Sequence, residues 1–386
     1  MHCPVTGVNV RSDFLNLFFS SASMNPCFLL LLFLGMLFPG DVFARGGIVS
    51  EKASSAHSPD SRQKYNLSFS VRFVREFPFQ RVRLFVDELD RWVFLTLFHE
   101  GNVARLDLET GQTLGTTRNI PFPESIAYNP VRHSILVALG DSRSYLVSPI
   151  GEDGPPIMDK AGLNPVWVGG APALGYYLLA GAVHLLYSLG EGNYQITNWI
   201  ALGDKVREVS FDPARKKIYF PLFRQSRIRT VSVPEFREIG NVGIDRCHHP
   251  KLVLSDGKTD SERVLVLCRN GLFGGDAVSG GFGTIKRFGE RPGMMARIGR
   301  SNLIAISFPD AHEIRVFDRK RNQIVKAFPT RGRPVFLSAV PMKNDLLVVS
   351  NRPARRVTQV ILYRFRGSAL VSRTLPSGLS VRVAVK

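Results

Sequence analysis

Residues 81–120 read RVRLFVDELD RWVFLTLFHE GNVARLDLET GQTLGTTRNI. Four runs stand out in this stretch, Arg81–Asp87, Trp92–Phe98, Asn102–Leu108 and Thr113–Ile120, each apolar or alternating and each bounded by polar residues. Short runs rich in Val, Leu, Phe and Thr, broken this often, predict four consecutive antiparallel strands A to D. Thr110-Gly111-Gln112 turns C into D, with Gly supplying the positive φ that a tight hairpin needs.

The same unit recurs. Prolines at 123, 165, 250, 292, 334 and 376 are spaced by 42, 85, 42, 42 and 42 residues, the 85 being two periods and one residue. One period back from Pro123 lies Arg81, so seven units of about 42 residues fill positions 81–376. Four short strands with their turns need about 40 to 50 residues, the size of a propeller blade. The B strands recur as Ile135–Leu139, Tyr176–Ala180, Lys217–Phe220, Val264–Cys268, Leu303–Ile306 and Leu346–Ser350. Continuous apolar runs suit strands covered on both faces, and a two-sheet sandwich has no reason to keep such a proline register. The expected fold is therefore all-β, a seven-bladed β-propeller of four-stranded blades over residues 66–386. Leu67–Phe73 and Leu379–Val383 alternate like strands and are expected to meet on the outer edge of one blade, closing the ring.

Gly332-Arg333-Pro334 and Gly289-Glu290-Arg291-Pro292 before strand A, the turn Asp212-Pro213, and Asp107-Leu108-Glu109-Thr110-Gly111 after strand C together resemble the YVTN-type repeat propellers. The resemblance covers roughly residues 81–376 and implies a seven-bladed, extracytoplasmic fold. Its nearest echo of the Thr-Gly turn is Asp318–Asn322. For function it implies only shape, shared with lactonase-like, haem-enzyme-like and purely binding propellers. Trp92, Trp167 and Trp199 are not followed by Asp, so the Trp-Asp repeat scaffold is a poor match.

The chain has 386 residues, 44% hydrophobic and 21% charged, with 50 Lys+Arg against 32 Asp+Glu and a net charge of +18. These are globular proportions, and they exclude a disordered chain. Phe28–Phe38 is apolar apart from Gly35, long enough for a signal-peptide core and short of the roughly 20 residues that span a bilayer. Val42-Phe43-Ala44 makes a cleavage site, so residues 1–44 read as a signal peptide, with Met24 an alternative start, and the mature chain as beginning near Arg45. Residues 45–65 read as a flexible leader. The expected location is periplasmic or secreted, with no transmembrane helix in a mature, monomeric chain.

Cys247-His248-His249-Pro250 precedes strand A of the fifth unit, and Cys268 ends its strand B. An A/B hairpin brings the two cysteines together, and an oxidising compartment allows a disulfide. Two free thiols remain open, as does a metal site, although adjacent histidines point apart.

No nucleophile elbow, zinc-protease helix, haem-attachment or phosphate-loop motif occurs. No cofactor or metal is expected. In a propeller the B–C and D–A loops share one rim, and here they carry Arg224, Arg269, Arg333, Arg352, His184 and His248. Guanidinium forks from several blades predict an anion-binding face. The favoured function is an extracytoplasmic binding module for an anionic small ligand, a cell-surface polymer or a protein partner. The alternative is a lactonase-like or other metal-assisted hydrolase with a carboxylate cluster in the funnel. Export argues against nucleic acid as a partner.

Overall fold

The computed structural model describes residues 67–367, apart from 88–90, 141–143, 151–156, 160–164, 172–175, 182–183, 191–192, 205–207, 234, 257–260, 300 and 341–342. The signal-peptide and leader segments, Pro376 and Leu379–Val383 lie outside the described residues. Among the described residues the only helical segment is one 3-10 turn, Pro353–Arg355.

Strand β1 (Ser68–Pro78) comes first, and the blades follow in chain order. Blade 1 is β2 (Val82–Asp87), β3 (Trp92–Leu97), β4 (Asn102–Asp107) and β5 (Thr113–Thr117). Blade 2 is β6 (Pro123–Asn129), β7 (Ser134–Leu139), β8 (Ser144–Pro149) and β9 (Ile157–Asp159). Blade 3 is β10 (Pro165–Ala171), β11 (Tyr176–Gly181), β12 (Leu185–Gly190) and β13 (Ile196–Ala201). Blade 4 is β14 (Ser210–Asp212), β15 (Lys217–Leu222), β16 (Arg227–Ser232) and β17 (Arg237–Gly243). Blade 5 is β18 (Pro250–Ser255), β19 (Arg263–Cys268), β20 (Gly271–Asp276) and β21 (Gly280–Arg287). Blade 6 is β22 (Met295–Arg297), β23 (Leu303–Phe308), β24 (Glu313–Asp318) and β25 (Gln323–Pro329). Blade 7 has β26 (Arg333–Val340), β27 (Asp345–Arg352) and β28 (Val357–Arg366), and its fourth strand is β1, in the order β1-β28-β27-β26. This is the expected seven-bladed, four-stranded propeller.

Ring closure takes a particular form. The outer edge of β28 is occupied by β1, which pairs antiparallel with it from Ser68 opposite Arg366 to Pro78 opposite Val357. The apolar residues of β1 explain the choice. Leu67 and Phe69 pack into the seam between blades 6 and 7, while Phe73 packs into the seam between blades 7 and 1. Phe73 also lies against Gly111, where any Cβ would meet its ring at 2.6 Å, and Gly111 has φ +67. The Arg75 Nε donates to the Gly111 carbonyl at 2.5 Å. One strand thus completes blade 7 and clasps blade 1.

The core is a set of seven apolar clusters, one in each seam between neighbouring blades. Strand alternation explains why the B strands are apolar throughout: Leu346 and Val348 face blade 6, while Leu347 and Val349 face blade 1. The proline register has a physical basis as well. Pro123, Pro165, Pro250 and Pro334 each sit at or next to the start of an A strand, and the register slips just after each one. An A strand has no partner on its channel side, so the missing N–H costs no ladder bond, and the bulge re-aims the strand.

The turn read as Asp107–Gly111 closes on its own side chains. Asp107 Oδ1 accepts from the backbone N–H groups of Thr110 and Glu109 at 2.7 and 3.0 Å and from the Thr110 hydroxyl at 2.9 Å. The Thr110 backbone bond is the largest influence holding the Asp107 carboxyl below the usual carboxylate range. Asp212, Asp276 and Asp318 cap their own turns in the same way. All four turns join A to B or C to D, so these carboxylates are spent at the lower end of the blades.

Candidate functional site at the channel mouth

The B–C and D–A loops form the upper face, and the charge there is unevenly balanced. Arg224 is exposed, its backbone N–H donating to Asp204 Oδ2 at 2.8 Å, and Arg269 and Arg352 are half-buried; none of the three guanidinium groups is ion-paired to a carboxylate among the described residues. Arg118, Arg246, Arg291, Arg331, Arg355 and Arg356 on the same face are exposed and are likewise without a carboxylate partner among the described residues. Arg333 differs: its Nη2 lies 2.6 Å from Asp310 Oδ1, so this arginine is already ion-paired. His184 is half-buried and adopts φ +67, its carbonyl accepting from the Leu202 N–H at 2.6 Å. His248 is exposed. Asp141–Arg143, between the B and C strands of blade 2, and Asn164, before the A strand of blade 3, lie outside the described residues.

The structure brings two of the expected residues into contact. The Arg269 N–H donates to the His248 carbonyl at 2.8 Å, and the His248 N–H donates to Asn270 Oδ1 at 3.0 Å. Asn270 Nδ2 reaches the Arg246 carbonyl at 2.8 Å. Cys247 and Cys268 lie beneath this bracket, joined by a disulfide with Cα atoms 5.6 Å apart and both residues buried in the seam between blades 4 and 5. His249 turns away and stacks on Phe223 with ring centroids 4.5 Å apart.

The channel mouth itself is lined by other residues. A cavity of about 330 Å³ opens there among Phe79, Arg81, Arg83, His99, Glu208 and Phe336, with Met294, Val335 and Asn351 at its edges. These belong to blades 1, 4, 6 and 7 or to the loops entering them, which places the cavity over the channel. Arg83 crosses it: Nη2 lies 2.6 Å from Glu208 Oε1, and the guanidinium sits 4.9 Å from the Phe336 ring centroid. Both partners are mostly buried, at 24% and 17% exposure, so this pair is a fixed constriction in the channel.

Arg81 stands above it over the Phe98 ring, ion-paired to Glu124. Buried Gln80 ties the loop to both sides. Its N–H donates to Thr358 Oγ1 at 3.0 Å, and its Nε2 donates to Glu100 Oε1 at 2.6 Å. Phe79, Phe122 and Val335 leave apolar surface exposed on this face.

Sequence reading missed Arg83 and Glu208. A signal for Arg83 was present, since it is a charged residue near the upper end of the innermost strand, Val82–Asp87, whose inner edge borders the channel. Glu208 precedes a three-residue strand and carries no such pattern. Among the described residues no group of three or more His, Cys, Asp or Glu side chains assembles that could hold a metal ion.

No protein-family model matches the chain, and no curated sequence aligns with it significantly. Among solved structures it is similar to a chain of hydrazine synthase from Kuenenia stuttgartiensis, with 16% identity, 79% of this chain and 98% of that chain covered, and a TM-score of 0.62. It is also similar to the Cps50 (Swd1) β-propeller domain from Myceliophteria thermophila, with 9% identity, 77% and 99% covered, and a TM-score of 0.60. At such identities the likeness is one of fold: the chain is a seven-bladed β-propeller.

Proposed function

We propose that this protein is an extracytoplasmic binding module whose upper face receives an anionic ligand: a small molecule, a surface polymer or a segment of a protein partner. The observation that carries this reading is the asymmetry of charge. The lower turns consume their aspartates in capping, while arginines without carboxylate partners crowd the upper loops around an apolar mouth. Guanidinium groups at a concave rim focus a positive field and bind carboxylate or phosphate through paired hydrogen bonds. Phe79, Val335 and Phe336 add apolar contact, favouring a ligand that carries both negative charge and an apolar group.

Position distinguishes a site from diffuse attraction, which a net charge of +18 produces by itself. A fluorescent acidic peptide ending in phenylalanine serves as the probe. Arg269→Glu with Arg352→Glu should weaken its binding by at least tenfold. Arg237→Glu with Lys320→Glu, on exposed residues of the lower face, makes the same charge change and should weaken it less than threefold. Equal losses in both pairs would reject the upper-face site.

Export is tested separately. Among the described residues no helix is long and apolar enough to cross a membrane. Expressed from its own leader in a bacterium, the protein should be recovered outside the cytoplasm with an N-terminus at or near Arg45. Recovery of an uncleaved chain in the cytoplasm would overturn the extracytoplasmic reading and leave the binding reading standing.

A further inference from the structure

On the opposite face, between blades 5 and 6, two arginines are set side by side on consecutive backbone carbonyls. The Arg297 Nη2 donates to the Ser255 carbonyl, and the Arg319 Nη1 donates to the Asp256 carbonyl at 3.1 Å. Arg297 ends the innermost strand of blade 6, and Arg319 opens the turn after that blade's third strand. Both are half-buried.

The nearby carboxylate is already engaged elsewhere. Asp256 Oδ1 binds Arg215, whose side chain is 2% exposed, and Asp256 Oδ2 accepts from the Ser261 hydroxyl at 3.0 Å. Asp212 lies 3.6 Å from the Arg215 Nε. Neither Arg297 nor Arg319 has an ion-paired carboxylate among the described residues. A guanidinium has five N–H donors, so each of these arginines keeps donors beyond the one given to a carbonyl. Two like charges held together in a partly desolvated place repel more strongly than they would in water. Burial is the largest influence on both groups and pushes their pKa down; for Arg297 the charges of Arg319 and Arg215 add to that effect, while the Asp256 carboxylate opposes it at both arginines and Asp212 opposes it at Arg297.

We propose that Arg297 and Arg319 form an oxyanion site on the lower face, taking inorganic phosphate or the phosphate or carboxylate group of a small molecule. The carbonyls of Ser255 and Asp256 orient the two forks, and the anion supplies the countercharge that two carboxylates, Asp212 and Asp256, leave unmet among three arginines. Arg215 is a positioning residue, since it takes the direct ion pair with Asp256. This site is independent of the upper-face reading.

Thermal unfolding of the full chain in inorganic phosphate, against chloride at matched ionic strength, tests it. Phosphate should raise Tm saturably, by on the order of 4 °C at a hundredfold excess over Kd. Arg319→Gln should abolish that increment, and in chloride it should melt no lower than the parent, because the repulsion is relieved. Citrate in place of phosphate separates a carboxylate preference from a phosphate one. The upper-face variant Arg269→Glu/Arg352→Glu should keep the full increment.

No phosphate-specific rise in the parent, or an unchanged rise in Arg319→Gln, overturns the site. So does strong destabilisation of Arg319→Gln in chloride, since that would mean its charge is already neutralised within the protein. Should Arg319→Gln fail to fold, Arg297→Lys keeps the charge and loses the fork. Equilibrium dialysis with labelled phosphate should then show one site in the parent and at least tenfold weaker binding in Arg297→Lys, and equal binding in the two would overturn the proposal.

Discussion

Removing residues 1–78 should leave a chain that no longer unfolds cooperatively and that aggregates on expression. The deletion strips the outer strand from blade 7 and exposes the whole edge of β28, ten residues long, to solvent and to other chains. It also empties both seams flanking blade 7, taking Leu67 and Phe69 from one and Phe73 from the other. A propeller tolerates this poorly because each seam is shared: opening one lets the ring spread, and the loss reaches the other blades. A single substitution measures the same clasp more gently. Phe73→Ala removes a ring that is 8% exposed and should cost about 3 kcal/mol, lowering Tm by on the order of 5 °C. A peptide spanning residues 67–80, added in trans, should restore cooperative unfolding to the truncated chain. A truncated chain that unfolds cooperatively at the parent's temperature would show that β1 is dispensable.

Much of this architecture was legible because the repeat imposes one physical demand seven times. Every B strand is covered on both sides, so every B strand is a continuous apolar run, and Leu346–Ser350 can be picked out without any neighbour. The proline spacing was equally readable, although its cause at Pro123, Pro165, Pro250 and Pro334, a bulge at the open inner edge of the A strand, is visible only in the paired register. Closure was half-legible: Leu67–Phe73 has the alternation of a strand, but the sequence does not say which edge it covers. That depends on Phe69 meeting Phe328 and Tyr363, contacts across hundreds of residues, and on Phe73 meeting Gly111 in the next blade.

The candidate site was harder to see for a related reason. Loop arginines are easy to count, but whether each is available depends on its partner, as Arg333 and Asp310 demonstrate. Arg83 and Glu208 stand three blades apart and meet only because the ring is closed. The Arg297–Arg319 pair has no sequence signature, since its logic lies in two carbonyls of a different blade.

Reduction of the Cys247–Cys268 bridge should lower stability by about 3 kcal/mol, the loop-entropy value for a crosslink of sequence separation 21, and Tm by on the order of 5 °C. Both cysteines lie in the apolar seam between blades 4 and 5, beside Tyr219, Ile244 and Val266. Free thiols fit such surroundings, so the loss should come mainly from the released constraint rather than from a new cavity. The effect should extend to the upper face. Cys247 directly precedes His248, and Cys268 directly precedes Arg269, so the crosslink fixes both arms of the bracket in which Arg269 and Asn270 hold His248. Reduction should therefore weaken acidic-peptide binding at Arg269 as well as lower Tm, while phosphate binding at Arg297 and Arg319 on the lower face stays unchanged. In protein recovered from outside the cytoplasm, neither thiol should react with an alkylating agent before reductant is added. Immediate labelling of both, with the parent's Tm indifferent to reductant, would mean that the bridge does not form and that the bracket relies on its hydrogen bonds alone.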